Sequence, residues 1–186
     1  MNFEDQLRAI IPRARIILSG LSVDQINWKP PAGGWSLGEC LGHLNVINAK
    51  NLDVIEPAVE KAKAEGVQPK GEPTPSFIER QFARFLEPPY KLKFKATAAV
   101  SPIEDVYVQD EILARWISTH ARILDIARSA SEVDLAKVKV PSVVAPQLRF
   151  SVAGMLAIIA AHDRRHLWQA EQIRAQIPGI ASPAAR

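Results

Sequence analysis

Four long segments of the chain carry apolar residues at the spacing of an α-helix, and this pattern constrains the fold more than any other feature. Their approximate bounds are Phe3 to Leu21, Leu37 to Ala64, Ser101 to Ala127, and Ser151 to just before Pro178. Apolar residues that recur every three or four positions form one helix face, which must be buried against other elements. With 186 residues, 47% of them hydrophobic, the chain can bury one sizeable core. We therefore predict an all-α protein that forms a single domain over residues 1–186.

Start signals support the predicted helix boundaries. Ser36 and Glu39 have the spacing of a capping box, in which each side chain accepts a hydrogen bond from a free backbone N–H group of the first turn. Ser101 is followed by Pro102 and Glu104, which indicates a helix that begins at that serine. Ser151 is a good N-cap for the last helix.

The connections between the predicted helices are long. Residues 66–100 are rich in Pro, Gly, Lys and Glu and contain one short helix, from Ser76 to about Leu86, while residues 131–150 form a second loop. A simple up-and-down bundle has shorter loops than these. The prediction is therefore a four-helix bundle with long crossover connections.

Composition excludes several classes of protein. The net charge is +3, from 23 basic and 20 acidic residues, and the densest basic stretch, Lys91–Lys95, alternates like an exposed strand edge, so we predict no nucleic-acid partner. A single cysteine excludes an intramolecular disulfide framework and fits a reducing compartment. The N-terminus lacks the pattern of a signal peptide, and the apolar stretch Met155–Ala161 is too short to span a bilayer. We expect a cytoplasmic protein with no membrane partner.

Two of the four histidines, His162 and His166, lie four residues apart in the fourth predicted helix. One turn of helix places both rings on the same face, about 6 Å apart along the axis. Imidazole nitrogens at that spacing can converge on one metal ion. The same spacing also occurs on solvated helix faces, so the pair alone leaves both interpretations open.

Two motifs carry a resemblance to a known family. The pattern WSxxExxxHL spans Trp35–Leu44 at the start of the second helix, and HDRRHLWQ spans residues 162–169 on the last one. In both motifs and in its layout over about 170 residues, the chain resembles the DinB/YfiT superfamily. The resemblance implies a four-helix bundle with one divalent metal held by three histidines, which match His43, His162 and His166 here.

Two further residues are candidates for a catalytic role. Glu39 lies one turn before His43 on the same face, where it can orient a ligand or act as a general base, although its capping-box position already explains it. Gln169 lies seven residues after His162 and therefore faces the site. It can hold a water molecule or a ligand, or simply pack between helices.

The remaining polar residues near the motifs have structural alternatives. Asp163 is rotated by about 100° from the preceding histidine, so we expect it to point elsewhere and form a salt bridge. Arg164 and Arg165 can meet an anionic substrate or form surface ion pairs. His120 is either a further ligand or acid–base group, or a hydrogen-bonded core histidine. Cys40 is a candidate soft ligand, but its position favours burial against Trp35.

The resemblance implies a metal-dependent enzyme that activates a thiol or water for reaction with a small-molecule substrate, as a thiol S-transferase or a hydrolase. Three imidazoles suit zinc, nickel or iron. A low-molecular-weight thiol would then be a cosubstrate, and exposed bundle faces are compatible with a homodimer. The alternative is a non-catalytic metal-binding or stress-response bundle protein.

Overall fold

The computed structural model of the protein describes residues 3–89 and 96–180. Its helices are α1 (Phe3–Leu18), α2 (Val23–Asn27), α3 (Leu37–Ala64), α4 (Phe77–Leu86), α5 (Gln109–Arg128) and α6 (Val152–Arg174), and its strands are β1 (Lys139–Pro141) and β2 (Arg149–Ser151). Short 3-10 turns occupy Ala98–Val100 and Ser129–Ser131. The predicted all-α class is confirmed, since the only sheet in the described ranges is this two-stranded one.

Each of the four long helices packs against two of the others. Helix α3 packs against α5 and α6, and α1 packs against the same two helices, while α4 lies on α6. The core between them contains fully buried side chains from every long helix, among them Leu7, Leu41, Leu44, Trp116, Ile123 and Leu156. Because α3 and α6 are neighbours, the two sequence motifs that carry histidines face the same part of the interior.

The predicted starts of α3 and α6 are confirmed. Ser36 Oγ accepts from the Glu39 N–H at 3.1 Å, and Glu39 Oε2 accepts from the Ser36 N–H at 2.7 Å. Ser151 Oγ accepts from the Gly154 N–H at 2.9 Å. These bonds satisfy N–H groups that have no partner within the first turn of a helix.

The buried carboxylate of Glu79 accepts hydrogen bonds at the starts of two helices. Glu79 caps its own helix, α4, by accepting from the Ser76 N–H at 2.7 Å. It also accepts from the Ser151 N–H at 2.6 Å and from Ser151 Oγ at 2.9 Å, directly before α6. Burial opposes ionisation here, but these hydrogen bonds outweigh it and lower the pKa of Glu79. The carboxylate therefore ties α4 to the start of α6.

The predicted start of the third long helix at Ser101 is wrong, because α5 begins at Gln109. Residues 101–108 are irregular, and a tertiary contact explains why. Tyr107 packs onto α3 at Gly38 and Gly42, where a Cβ atom would overlap its side chain. Asn27 holds the backbone N–H and C=O of Tyr107 at 2.9 Å each. The segment is thus fixed in a non-helical path by contacts with α2 and α3, which outweigh the local cap signal.

The connection over residues 131–150 was predicted as a loop, but it forms most of a β-hairpin. Strands β1 and β2 pair antiparallel with Val140 opposite Phe150, and β2 leads directly into α6. The basic stretch Lys91–Lys95 lies outside the described residues. Within the described ranges, no helix is long and apolar enough to cross a membrane.

Candidate metal centre

His43, His162 and His166 converge on one point between α3 and α6. Each offers one ring nitrogen, and these three atoms lie within 4.8 Å of one another. The ring centroids are 5.2 Å apart for His43 and His162, 4.7 Å for His43 and His166, and 4.6 Å for His162 and His166. This group can hold a metal ion, and both motifs singled out in the sequence contribute to it.

A backbone carbonyl fixes the orientation of His43. Its Nδ1 lies 2.5 Å from the carbonyl oxygen of Val100, at the end of the 3-10 turn before α5. Because a carbonyl oxygen only accepts, Nδ1 carries the proton and Nε2 is left with its lone pair. Metal-binding histidines are held in this way in many proteins. No sequence pattern indicates Val100, because it acts through a main-chain atom.

The environment keeps all three imidazoles neutral. Burial lowers the pKa of His43, although the Val100 carbonyl and Asp163 oppose the shift. Burial, and then the neighbouring His43, lower the pKa of His162 to about 4. Burial and the two other histidines hold the pKa of His166 well below its usual range. Neutral imidazole is the form that binds metal, so these residues have their ligand form at pH 7.

The donor set fits a divalent transition metal. His166 Nδ1 is buried and has no hydrogen-bond partner among the described residues. A buried nitrogen without a partner is costly, and three uncharged imidazoles at a common point suit zinc, nickel or iron. The lone pairs of the three neutral rings are the donors that such a cation needs.

Trp35 forms one wall of the site. Its ring centroid lies 4.9 Å from that of His43 and 5.7 Å from that of His166. Cys40, by contrast, is fully buried, and burial raises the pKa of its thiol. A thiol in that state is a poor ligand, and Cys40 is not part of the three-histidine group. The interpretation of Cys40 as a core residue therefore stands.

The two candidate catalytic residues differ in their partners. Glu39 Oε1 contacts Lys29 Nζ at 2.9 Å, while its other oxygen completes the cap of α3. Capping is thus confirmed for Glu39, and its catalytic role stays a prediction. Gln169 is half-buried, and its side chain, as an acceptor of a hydrogen bond from the ring, opposes the lowering of the His166 pKa. Gln169 is therefore a neighbour of the ligands.

Asp163 is not part of the three-histidine group, and it meets the fourth histidine instead. Its Oδ2 lies 3.0 Å from His120 Nε2, and its Oδ1 accepts from Asn48 Nδ2 at 2.9 Å. His120 Nδ1 lies 2.9 Å from the carbonyl oxygen of Trp116. Of the two alternatives for His120, these contacts support the hydrogen-bonded core histidine. Sequence reasoning missed Asn48, which no motif distinguishes.

The two arginines that flank the last motif differ. Arg164 forms an ion pair with Glu87, with Nε 2.9 Å from Oε2, which confirms the interpretation as an ion-pairing residue. Arg165 is buried, and its positive charge contributes to the lowered pKa of His162 and of His166. Extra positive charge near the ligands favours their neutral form.

These observations define a small helical protein in which two neighbouring helices share a candidate three-histidine metal site. The model of the DinB superfamily matches residues 6–170, and the chain belongs to that superfamily. The chain is also 26% identical, over 160 residues, to the uncharacterized protein YuaE of Bacillus subtilis (strain 168), a match that covers 86% of this chain and 90% of YuaE. No solved structure matches the chain.

Proposed function

We propose that the protein is a metal-dependent enzyme whose three histidines hold one divalent transition metal and activate a thiol or a water molecule. The observation that carries the proposal is the convergence of three neutral imidazole nitrogens within 4.8 Å of one another. Three protein ligands with further positions open is the usual arrangement of a catalytic metal site, whereas structural sites have four protein ligands. Zinc, nickel and iron all suit this donor set.

Each residue of the group has a definite task in this proposal. His43 is held by the Val100 carbonyl, so its Nε2 is presented to the centre. His162 and His166 come from successive turns of α6 and supply the other two nitrogens. Three uncharged ligands would leave the full charge of a bound cation to act on a water, whose pKa would fall towards about 7, or on a thiol, which would lose its proton.

Residues around the ligands would complete the site. We propose that Gln169, beside His166, orients a water molecule or a polar group of the substrate. Glu39 would act as a base only after releasing Lys29, so we assign it the weaker role of fixing the first turn of α3. The half-buried indole of Trp35 would contact a small-molecule substrate, and a low-molecular-weight thiol would be the cosubstrate in the transferase version.

A non-catalytic metal-binding or stress-response role is the second candidate, and one observation favours it. A cavity of about 340 Å³ is lined by residues of α1 and α5, including Arg8, Ile11, Leu113 and Ile117, and by none of the three histidines. A substrate-sized space is therefore present at a different place from the candidate metal ligands. A ligand in that space would be held by residues other than the candidate metal ligands, which suits a binding role.

Metal analysis followed by activity screening separates the two candidates. Purified protein would be stripped with a chelator, reloaded with zinc, nickel or iron, and assayed with thiols plus electrophiles and with esters. The enzyme proposal predicts turnover that requires one specific metal and rises with pH about a midpoint near 7. Thiol transfer consumes the thiol, whereas hydrolysis proceeds without it. Turnover that survives the chelator would reject metal catalysis, and metal binding without turnover would favour the second candidate.

A further inference from the structure

We propose that Asp163 is the positioning residue of the metal centre and that it sets α6 against α3 at the level of the ligands; this inference rests on the proposed metal site. Asp163 directly follows His162 on α6, and Asn48 follows His43 by five residues on α3. The 2.9 Å hydrogen bond from Asn48 Nδ2 to Asp163 Oδ1 therefore links the two helices that carry the ligands. Each end of this bond lies within about one and a half turns of a candidate ligand on its own helix.

The carboxylate is held from a third helix as well. His120 on α5 contacts Asp163 Oδ2 through Nε2 at 3.0 Å, and its own ring is oriented by the Trp116 carbonyl at 2.9 Å from Nδ1. Asp163 and His120 are fully buried, and Asn48 is 1% exposed. No water competes for these bonds at the surface, so breaking them would leave buried polar groups without partners.

A rotation of α6 would break both bonds and move both ligands of that helix together. His162 and His166 project from the same helix at fixed angles to Asp163, so the direction of the carboxylate determines the direction of the imidazoles. Metal sites need their ligands held to within about 0.5 Å and 10–20°. The hydrogen bonds of Asp163 supply that restraint from outside the ligand group.

The hydrogen bonds also define a conservative replacement. Both ring nitrogens of His120 face oxygen acceptors. The His120–Asp163 pair therefore holds one proton more than a neutral imidazole and an ionised carboxylate would hold together. In Asp163→Asn, a neutral His120 would accept from the new amide, whose oxygen would still accept from Asn48. This variant preserves the shape, the hydrogen bonds and the net charge of the pair formed by residues 120 and 163. It therefore separates the effect of the side chain's position from the effect of its carboxylate chemistry.

A matched control comes from the same helix. Asn45 is buried like Asn48, and its Nδ2 donates to the Ile112 carbonyl at 3.1 Å, which links α3 to the start of α5. That bond does not involve α6. Asn45→Ala and Asn48→Ala each remove one buried hydrogen bond of α3, and we expect them to lower the stability towards urea by similar amounts.

The test measures zinc affinity by chelator competition and stability by urea unfolding in the full chain. We expect Asn48→Ala and Asp163→Leu to weaken zinc binding about 10- to 100-fold, as replacements behind metal ligands do. Asp163→Asn and Asn45→Ala should bind zinc within about twofold of wild type. If Asp163→Leu does not fold, Asn48→Ala carries the test.

Two outcomes would overturn the inference. One is zinc affinity in Asn48→Ala equal to that in Asn45→Ala, which would mean that only stability was changed. The other is equal weakening by Asp163→Asn and Asp163→Leu, which would make the carboxylate's chemistry, and not its position, the cause. Failure of the wild-type protein to bind any divalent metal is a different result and would reject the metal site itself.

Discussion

The four histidines of this chain lie in two groups that differ in how many ring nitrogens have hydrogen-bond partners. Both nitrogens of His120 face oxygen acceptors, so this ring is satisfied without any added group. In the other group, His43 has one nitrogen engaged by Val100, and His166 Nδ1 has no partner among the described residues. Burial alone therefore does not distinguish a structural histidine from a ligand. The number of internal partners does, because an unsatisfied imidazole retains a lone pair for a metal.

Each group is also covered by its own tryptophan. Trp35 lies over His43 and His166, while Trp116 packs on His120 with ring centroids 3.8 Å apart. Trp116 is fully buried and donates through Nε1 to the Ile11 carbonyl, whereas Trp35 is only half-buried. Solvent therefore has no access to the His120 group, whereas the three-histidine group lies closer to it. We expect the first to contribute stability and the second to bind metal.

The largest expected effect is loss of metal in His166→Ala. Two remaining imidazoles are too few to hold the ion, while the apolar faces of the helices still support the fold. Elemental analysis should find no metal in this variant after dialysis, and the far-ultraviolet circular dichroism should match that of the wild type. Equal metal content in both proteins would mean that the three-histidine group is not the binding site.

The complementary substitution is His120→Ala, which removes the partner of a buried carboxylate. We expect the metal-free protein to lose about 3–5 kcal/mol of unfolding free energy, since the buried Asp163 loses its histidine partner and keeps only the hydrogen bond from Asn48. The same measurement on metal-free His166→Ala should show a clearly smaller loss. If the two variants lose equal stability, the proposed division between a structural group and a ligand group is wrong.

Acid should destabilise the metal-free protein through the ligand group. His162 has a pKa of about 4 in the folded state, against an ordinary value of 6.5 when unfolded. Between these values the unfolded chain binds the proton and the folded chain does not, so stability falls as the pH is lowered from 6.5 towards 4. The slope from one such histidine is about 1.4 kcal/mol per pH unit. In urea titrations, His162→Gln should have a shallower slope over this range. An unchanged slope would contradict a His162 that stays neutral in the folded protein over this pH range.

The smallest expected effect concerns the wall of the metal site. Trp35→Leu opens the site to water, so we expect metal affinity to fall about threefold, less than when a residue that holds a ligand is replaced. Trp28→Leu is the matched control, because Trp28 is also partly buried against the core. Chelator competition on both variants provides the measurement. A larger loss in Trp28→Leu would show that general loosening, and not the indole over the histidines, controls affinity.

Local sequence patterns predicted the parts of this molecule that depend on local physics. The apolar spacing predicted the all-α class, and the caps at Ser36 and Ser151 predicted the starts of α3 and α6. The predicted start at Ser101 failed because Tyr107 is held by Asn27 and by two glycines of α3, none of which lies near it in sequence. A local cap signal cannot report such a contact.

The same limit applies to the site. The spacing of His162 and His166 and the two family motifs were enough to select the three candidate ligands. The groups that hold them were not predictable, because Val100 acts through its main chain and Asn48 reaches Asp163 across 115 positions of sequence. Side chains that act through tertiary contacts have no characteristic spacing along the chain.

The shared carboxylate of Glu79 has a consequence for local opening of the protein. Helix α4 packs on α6, and Glu79 ties it to Ser151 at the first turn of that helix. If α4 detaches, Ser151 loses both hydrogen bonds, and the first turn of α6 frays with it. The amide hydrogens of α4 and those near Gly154 should therefore exchange with solvent as one cooperative unit. Movement of the peripheral helix α4 would then first affect the beginning of α6, which carries two of the three candidate ligands.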